Sequence, residues 1–189
     1  MARDYSSLPA NMVRRKDRAV DDEAWIHQML HRAPMAALAT VHEGQPFINS
    51  NIFVYDQAAQ CIYMHTHRVG RTRANVESEG RVCFSISEMG RLLPADEALE
   101  FSVEYAGVTV FGLASVVVDE AEASRALQLL LYKYAPHLRP GKDYRPVIAE
   151  EIKRTAVYRI DIEMWSGKRK EVATDFPGAF QYGTYDSKE

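Results

Sequence analysis

The stretch Ile62-Tyr63-Met64-His65-Thr66-His67-Arg68-Val69-Gly70-Arg71-Thr72-Arg73-Ala74-Asn75-Val76 changes period halfway along. Up to His67 it alternates as a strand does, with Tyr63, His65 and His67 on one face and Ile62, Met64 and Thr66 on the other. After Gly70 the residues suit a helix, and Val69 and Val76 lie one heptad apart. Arg68, Arg71 and Arg73 surround the single glycine. A strand that turns through glycine into a helix start gathers hydroxyls, backbone N–H groups and cations, which together suit a phosphate-like anion. The bland alternative is a surface loop with solvated arginines.

Working outward, Pro46 to Tyr55 reads as one strand whose middle, Asn49-Ser50-Asn51, interrupts an apolar run. Polar side chains in a buried strand need partners, and a ligand edge, a bulge or a second strand would each serve. Met35 to Val41 reads as a buried strand, His42 to Gln45 as its turn, and Cys61 to His67 as a third strand after the turn at Asp56 to Gln60. Two hairpins in a row suggest a meander. A fourth strand covers Arg81 to Ser87. Residues 88–101 read as irregular, Ser102 to Val118 as one long or two bent strands with Gly107 and Gly112 as close-approach points, and Ala156 to Trp165 as the last strand. Ser166 to Lys170 reads as a basic turn. Helices are expected from Asp21 to Pro34 and from Glu120 to Tyr134, and a short one at 147–153. The pattern predicts an α+β fold, a small β-barrel of about six antiparallel strands with flanking helices. Residues 1–19 form an arm, 20–170 the domain, and 171–189 a tail packing on the barrel or a partner.

The 189 residues carry a net charge of −3, which argues against nucleic acid. With no apolar run near twenty residues and no signal-peptide pattern, neither a membrane nor secretion is expected, and the cytoplasm is the default. Cys61 and Cys83 lie in strand-like runs and are expected as buried thiols. His27 and His31 share one helical side, and His65 and His67 one strand face. Neither pair has a clustered third ligand, so no metal site is expected.

Several motifs, taken in order, resemble a known family. Thr66 lies five residues before Arg71 at a strand-to-helix turn. Arg15 and Arg18 form an Arg-x-x-Arg arm. Leu38 to Val41 reads Leu-Ala-Thr-Val, and Gly44, Pro46 and Phe47 read Gly-x-Pro-aromatic. Val82-Cys83-Phe84, the strand with Tyr105, Val108 and Gly112, and the closing Gly167-Lys168 follow. The chain resembles the pyridoxamine 5′-phosphate oxidase-like flavoproteins, and more closely their nitroimidazole reductase branch, over about residues 13–170. Thr72 stands where the family has lysine, with Arg73 as a stand-in, Gly107 replaces a serine, and His67 replaces a small residue.

The resemblance implies a split β-barrel homodimer with FMN in interface clefts. Thr66 and Arg71 would hold the phosphate, helped by Thr72 and Arg73. Asn49, Ser50, Asn51 and Ile52 would meet the ring edge, with His65, Gly107 and Trp165 also at the cofactor. His65 matches a histidine implicated in electron or proton delivery, so it is the catalytic candidate. The expected activity is an FMN-dependent oxidoreductase that takes electrons from a reduced nicotinamide or another donor to a small oxidised substrate such as a nitroaromatic. A non-catalytic flavin or electron carrier, and a haem-binding split barrel with His65 or His67 as axial ligand, are the alternatives.

Overall fold

In the computed structural model, residue 4 and residues 6–184 are described. The strands are β1 (Ala19–Val20), β2 (Ala36–His42), β3 (Gln45–Asn51), β4 (Phe53–Asp56), β5 (Cys61–His67), β6 (Arg81–Leu93), β7 (Ser102–Val116) and β8 (Thr155–Lys170). The helices are α1 (Glu23–Arg32), α2 (Arg71–Ser78), α3 (Glu120–Tyr134) and α4 (Ala149–Ile152). All pairings between these strands are antiparallel, in the order β3-β2-β6-β7-β8-β5-β4, with β1 on β8. β3 and β4 sit at the two ends of this path, yet only Ile52 separates them in the chain. The sheet therefore curls until its ends meet there, which makes a split barrel.

The split corrects two expectations. Pro46 to Tyr55 is two strands, and the hairpins β2–β3 and β4–β5 do not form a meander. The backbone at the break is satisfied by side chains. The Tyr134 hydroxyl accepts the Phe53 amide at 3.1 Å and donates to the Pro34 carbonyl at 2.8 Å. Asn51 Oδ1 accepts the Ile52 amide at 2.8 Å. Buried amides left unpaired here would each cost about 1–3 kcal/mol.

Local chemistry sets the other elements. Glu43 and Gly44 both take positive φ, 49° and 80°, which matches the twist a two-residue hairpin needs between β2 and β3. Asp22 caps α1 by accepting from the Ala24 and Trp25 amides, and Asp119 caps α3 by accepting from the Glu122 amide. Leu92 and Leu93 belong to β6, so the first part of the stretch expected to be irregular, residues 88–93, is strand. Ser166 to Lys170 continues β8 to its end instead of turning.

Between Phe111 and Gly112 the register of β7 on β8 shifts, leaving Glu163 unpaired. A Cβ on Gly112 would lie 2.0 Å from the Asp161 carbonyl oxygen, so only glycine fits this bulge. Beyond it the alternation of β8 changes parity: Tyr158 and Ile160 face the barrel core, and so do Trp165 and Gly167.

Two apolar clusters result. One fills the barrel under α1, with Leu30, Leu38, Phe53, Phe84 and Tyr158 fully enclosed. The other joins α3, through Ala123, Ala126 and Leu130, to the opposite face of β4, β5 and β8. Tyr63, at the rim of the second cluster, donates to Glu122 Oε1 at 2.6 Å and accepts from Arg159 at 3.0 Å. The Tyr63 hydroxyl, resisting deprotonation through burial and this bond, keeps α3 in register on the sheet.

The tail folds back on its own chain. Arg91 pairs with both Glu104 oxygens at 2.8 Å and also donates to the Val172, Ala173 and Thr174 carbonyls. Phe180 pairs with Leu92 through reciprocal backbone bonds of 2.7 and 3.1 Å.

Candidate functional site

Among the described residues no helix covers the outer face of β3, β2, β6, β7 and the second half of β8, and along one row its side chains are small. Register places Ser50, Ala37, Ser85, Thr109 and Ser166 side by side across five strands. At about 4.8 Å per strand this row of four hydroxyls and one methyl spans about 19 Å. Two residues along each of the five strands lies a second row, Ile48, Ala39, Cys83, Phe111 and Met164, the last just before the bulge on β8. Ile48 is 65% exposed and Met164 38%. Cys83, expected buried, is half-exposed here, while Cys61 is fully enclosed; both are free thiols.

A cavity of about 560 Å³ lies over the β6–β8 end of this face. Ser85, Ser87, Gly107, Thr109, Ser166 and Lys168 line its floor, and Met12 to Arg15 of the arm form one wall. The Gly107 position is tight: a Cβ would come within 3.0 Å of the Ile86 carbonyl oxygen. A larger cavity, about 620 Å³, lies beneath the arm along β1, α1 and β8.

Around the start of α2 lies a third cavity, about 420 Å³, lined by His42, Gln45, Phe47, Arg71 and Asn75 among others. Asn75 is fully buried. Its Nδ2 donates to Thr40 Oγ1 at 2.9 Å, while its Oδ1 has no partner. His42 Nδ1 is likewise buried and unpartnered. Arg73 is tied to Glu77 at 2.8 Å and to the Arg68 carbonyl, and Arg68 to the Lys153 carbonyl. Among the described residues Arg71 makes no such bond, which leaves its guanidinium available in the loop. His42 Nδ1, a donor in one tautomer, beside the Arg71 guanidinium fits a hydrogen-bonding anion, whereas Asn75 Oδ1, an acceptor, calls for a donor instead.

The other expected site residues divide as follows. Asn49 donates to Thr72 Oγ1 at 3.2 Å, which joins β3 to the start of α2. Thr72, in the place of a lysine, is buried and spent on this contact. Asn51 Nδ2 donates to the His65 carbonyl at 2.6 Å, so the polar interruption of β3 meets the end of β5. Ser50 points outward, at one end of the hydroxyl row. Ile52 packs against the α3 cluster.

Thr66 faces the barrel side and is hydrogen-bonded to the Tyr158 hydroxyl at 2.8 Å and the His67 carbonyl at 2.9 Å. It does not contribute to the cavity that Arg71 lines, so the expected Thr66–Arg71 clamp is not assembled. His65 lies on the opposite face, paired with Val157 on the α3 side. Its Nδ1 is buried without a partner, and desolvation lowers its pKa, which favours the neutral imidazole.

Trp165 is displaced from the expected site. The parity change at Gly112 turns it to the α1 side, where it meets His27 edge-on at 5.4 Å. His27 and His31 bond Tyr55 and Gln57, at 2.9 and 3.2 Å. Sequence reading missed Ser85, Thr109 and Ser166, for which the only sequence signal is a hydroxyl in outward register, as in Ser85-x-Ser87.

The family model for pyridoxamine 5′-phosphate oxidase matches residues 22–169. The chain belongs to that family. Its fold is shared with a flavocytochrome from Azotobacter vinelandii, at a TM-score of 0.75 and 24% identity, over 94% of this chain and 86% of that one. An FAD- and haem-binding protein from Mycobacterium smegmatis has a TM-score of 0.73 and 20% identity, covering 82% of this chain and 74% of its own. A Bacteroides thetaiotaomicron protein assigned to 5-nitroimidazole antibiotic resistance has a TM-score of 0.66 and 18% identity, over 81% and 90%. No curated protein matches by sequence. Among the described residues no helix is long and apolar enough to cross a membrane.

Proposed function

We propose that the chain is a flavin-dependent oxidoreductase that works in the cytoplasm as a homodimer, with FMN bound between the open sheet face and a second subunit. The observation that carries this reading is the hydroxyl row on that open face. A row of hydroxyls suits the polar edge of a planar ring, and small side chains let the ring approach the sheet. Arg71, with His42 beside it, would take the phosphate through a charge-assisted bond. The neighbouring apolar row, with Ile48 and Met164 open, supplies surface for the second subunit, and a two-fold pair is the commonest assembly.

When bound, the flavin supplies the redox chemistry, passing electrons from a reduced nicotinamide or another donor to a small oxidised substrate such as a nitroaromatic. The chain binds and orients. Asn51 holds the β5 end through the His65 carbonyl, fixing where the imidazole stands. Neutral His65 has a ring N–H to donate to a substrate that gains negative charge.

A second reading is a flavin protein that also carries haem. A buried, unpartnered His65 nitrogen supports it, since haem iron takes such a ligand. So does the shared fold of the Azotobacter flavocytochrome and of the Mycobacterium smegmatis protein that binds FAD and haem.

The visible spectrum of the purified protein tests both readings. Flavin bands with released FMN are expected. Released FAD would replace the mononucleotide, a Soret band would support haem, and a colourless protein that takes up no added flavin would refute the proposal. Arg71→Ala should weaken FMN about 10- to 100-fold, the loss of a bond to a charged group worth about 1.5–3 kcal/mol.

A further inference from the structure

Four aromatic rings touch in series between β8 and the end of α1. Trp165 leaves β8 on the α1 side and meets the His27 ring edge-on at 5.4 Å. His27 lies nearly parallel to the Tyr55 ring, with 12° between the planes and 5.7 Å between the centroids. His31, exposed near the end of α1, also touches Tyr55, at 5.1 Å. Each gap falls within the about 4.5–7 Å of rings in direct contact.

Tyr55 is 3% exposed, so its phenol is shielded from water. The hydroxyl donates to His27 Nδ1 at 2.9 Å, and the Gln60 side-chain amide donates to the same oxygen at 3.4 Å. Desolvation raises the pKa of Tyr55, so the phenol keeps its proton. His31 is spent on Gln57 at 3.2 Å, which leaves His27 as the base on that hydroxyl.

Indole and phenol are the aromatic side chains that lose an electron most readily, and imidazole is a side chain that takes a proton near neutral pH. A buried phenol that lost an electron and kept its proton would be an unpaired buried cation, which is costly. Tyr55 has the acceptor for that proton already in place. The series also starts beside the open sheet face. Ser166, next after Trp165, belongs to the hydroxyl row on the opposite side of β8. One sheet layer, about 10 Å in face-to-face packing, separates the indole from a ring lying on that row.

We propose that Trp165, His27 and Tyr55 form an electron path that quenches the light-excited flavin, with Tyr55 as the final electron donor and His27 as the acceptor of its proton. This rests on the flavin reading above, because the excited flavin is the oxidant. Trp165 gives one electron to the excited flavin. The indole takes one back from Tyr55, whose O–H bond breaks as the proton passes to His27 Nδ1. Tyr55 is left as a neutral phenoxyl radical and His27 as an imidazolium. Return of the electron from the flavin to Tyr55, and of the proton from His27, restores every group, so nothing is consumed. Excitation that would otherwise reach oxygen or a bound substrate is dissipated, and the radical is held in the enclosed barrel core.

The test is flash photolysis of the flavin-loaded protein, read by transient absorption and electron paramagnetic resonance. A tyrosyl radical is expected, forming more slowly in deuterium oxide than in water because a proton moves with the electron. Tyr55→Phe, which removes one oxygen, should abolish the tyrosyl signal and leave a tryptophan radical. Trp165→Phe should abolish both and raise flavin emission tenfold or more. His27→Phe keeps a ring but no base, and should slow the tyrosyl radical tenfold or more. Melting curves identify a variant that fails to fold, and the isotope effect needs no variant. A bound, excited flavin that yields no tyrosyl radical in the parent overturns the proposal. So does a radical that survives in Tyr55→Phe and disappears in Tyr105→Phe, at the cavity on the flavin face. A second arm needs no flavin. Photogenerated tris(bipyridine)ruthenium(III), a one-electron oxidant, should produce the same His27-dependent Tyr55 radical. If it does so in a protein that takes up no flavin, the cofactor reading has failed and the Tyr55–His27 pair stands. If it does not, the pair is refuted whatever the cofactor.

Discussion

Gly112→Ala is the sharpest test of the architecture. The added methyl would stand 2.0 Å from the Asp161 carbonyl oxygen and 3.1 Å from its carbon. Real Cβ atoms do not come within 3.0 Å of such a neighbour, so the atoms must part by at least 1 Å. Neither can rotate away, because both belong to backbone in the β7–β8 ladder. Overpacking costs about 1–3 kcal/mol, and a rigid backbone contact belongs at the upper end, about 3 kcal/mol. For a chain of this size that lowers Tm by about 6–12 °C. Thermal unfolding followed by circular dichroism, with and without added FMN, reads the shift. The bulge also sets which face Ser166 occupies in the hydroxyl row, so the variant should lose FMN affinity as well. A Gly112→Ala protein that melts within 1 °C or so of the parent (on the order of the assay error) and binds FMN normally would refute the bulge and the hydroxyl row together.

Three further predictions follow from other parts of the molecule. His65→Ala should keep its flavin spectrum and melting behaviour but lose substrate reduction tenfold or more, within the ~10²–10⁴ range for positioned acids at the extreme; parent-rate turnover of nitroaromatic or quinone acceptors would remove its catalytic role. Burial of Lys133 above the Phe53 ring, with Nζ unpartnered, lowers its pKa from 10.5 to about 8. The unfolded chain then binds more protons between those values, so stability should rise as pH climbs from about 8 to 10.5. Lys133→Met should flatten that rise in a pH series of melting curves without destabilising the protein at neutral pH, and an unchanged slope would count against the desolvated amine. Light scattering of the holoprotein at micromolar concentration should give a dimer, and a flavin-bound species at the chain mass of 21.4 kDa would rule out the interface site.

The strand-turn-helix of Ile62 to Val76 was legible because its period changes at a glycine. The contrast between Ile62, Met64 and Thr66 on one side and Tyr63 and His65 on the other is the one the two cores use. The polar interruption at Asn49 to Asn51 was legible too, but its meaning was not. Asn49 and Asn51 serve neighbouring elements, because the chain leaves one end of the sheet and enters the other at Ile52. Which strand lies beside which is a long-range fact, and no local pattern holds it. The same holds for the hydroxyl row: Ser85, Thr109 and Ser166 are unremarkable until register aligns them. Trp165, which the resemblance puts at the cofactor, faces α1 because a bulge at Gly112 resets the alternation of β8. Thr66 and Arg71 have the expected spacing, yet the hydroxyl is taken by Tyr158, a partner 92 positions away in the chain.

The order of the strands also bears on how the chain is made. β5 pairs on one side with β4, its neighbour in sequence, and on the other with β8, where Cys61 meets Asp161, one hundred positions later. Synthesis at about 5–20 residues per second puts roughly 5–20 s between the two. During that interval the edge bearing Ile62, Tyr63 and Met64 has no strand to close it. Exposed apolar edges of this kind recruit other chains. Yield in a heterologous host should therefore depend on cover for the nascent β4–β5 hairpin, supplied by chaperones or by slower initiation, more than on the stability of the finished barrel.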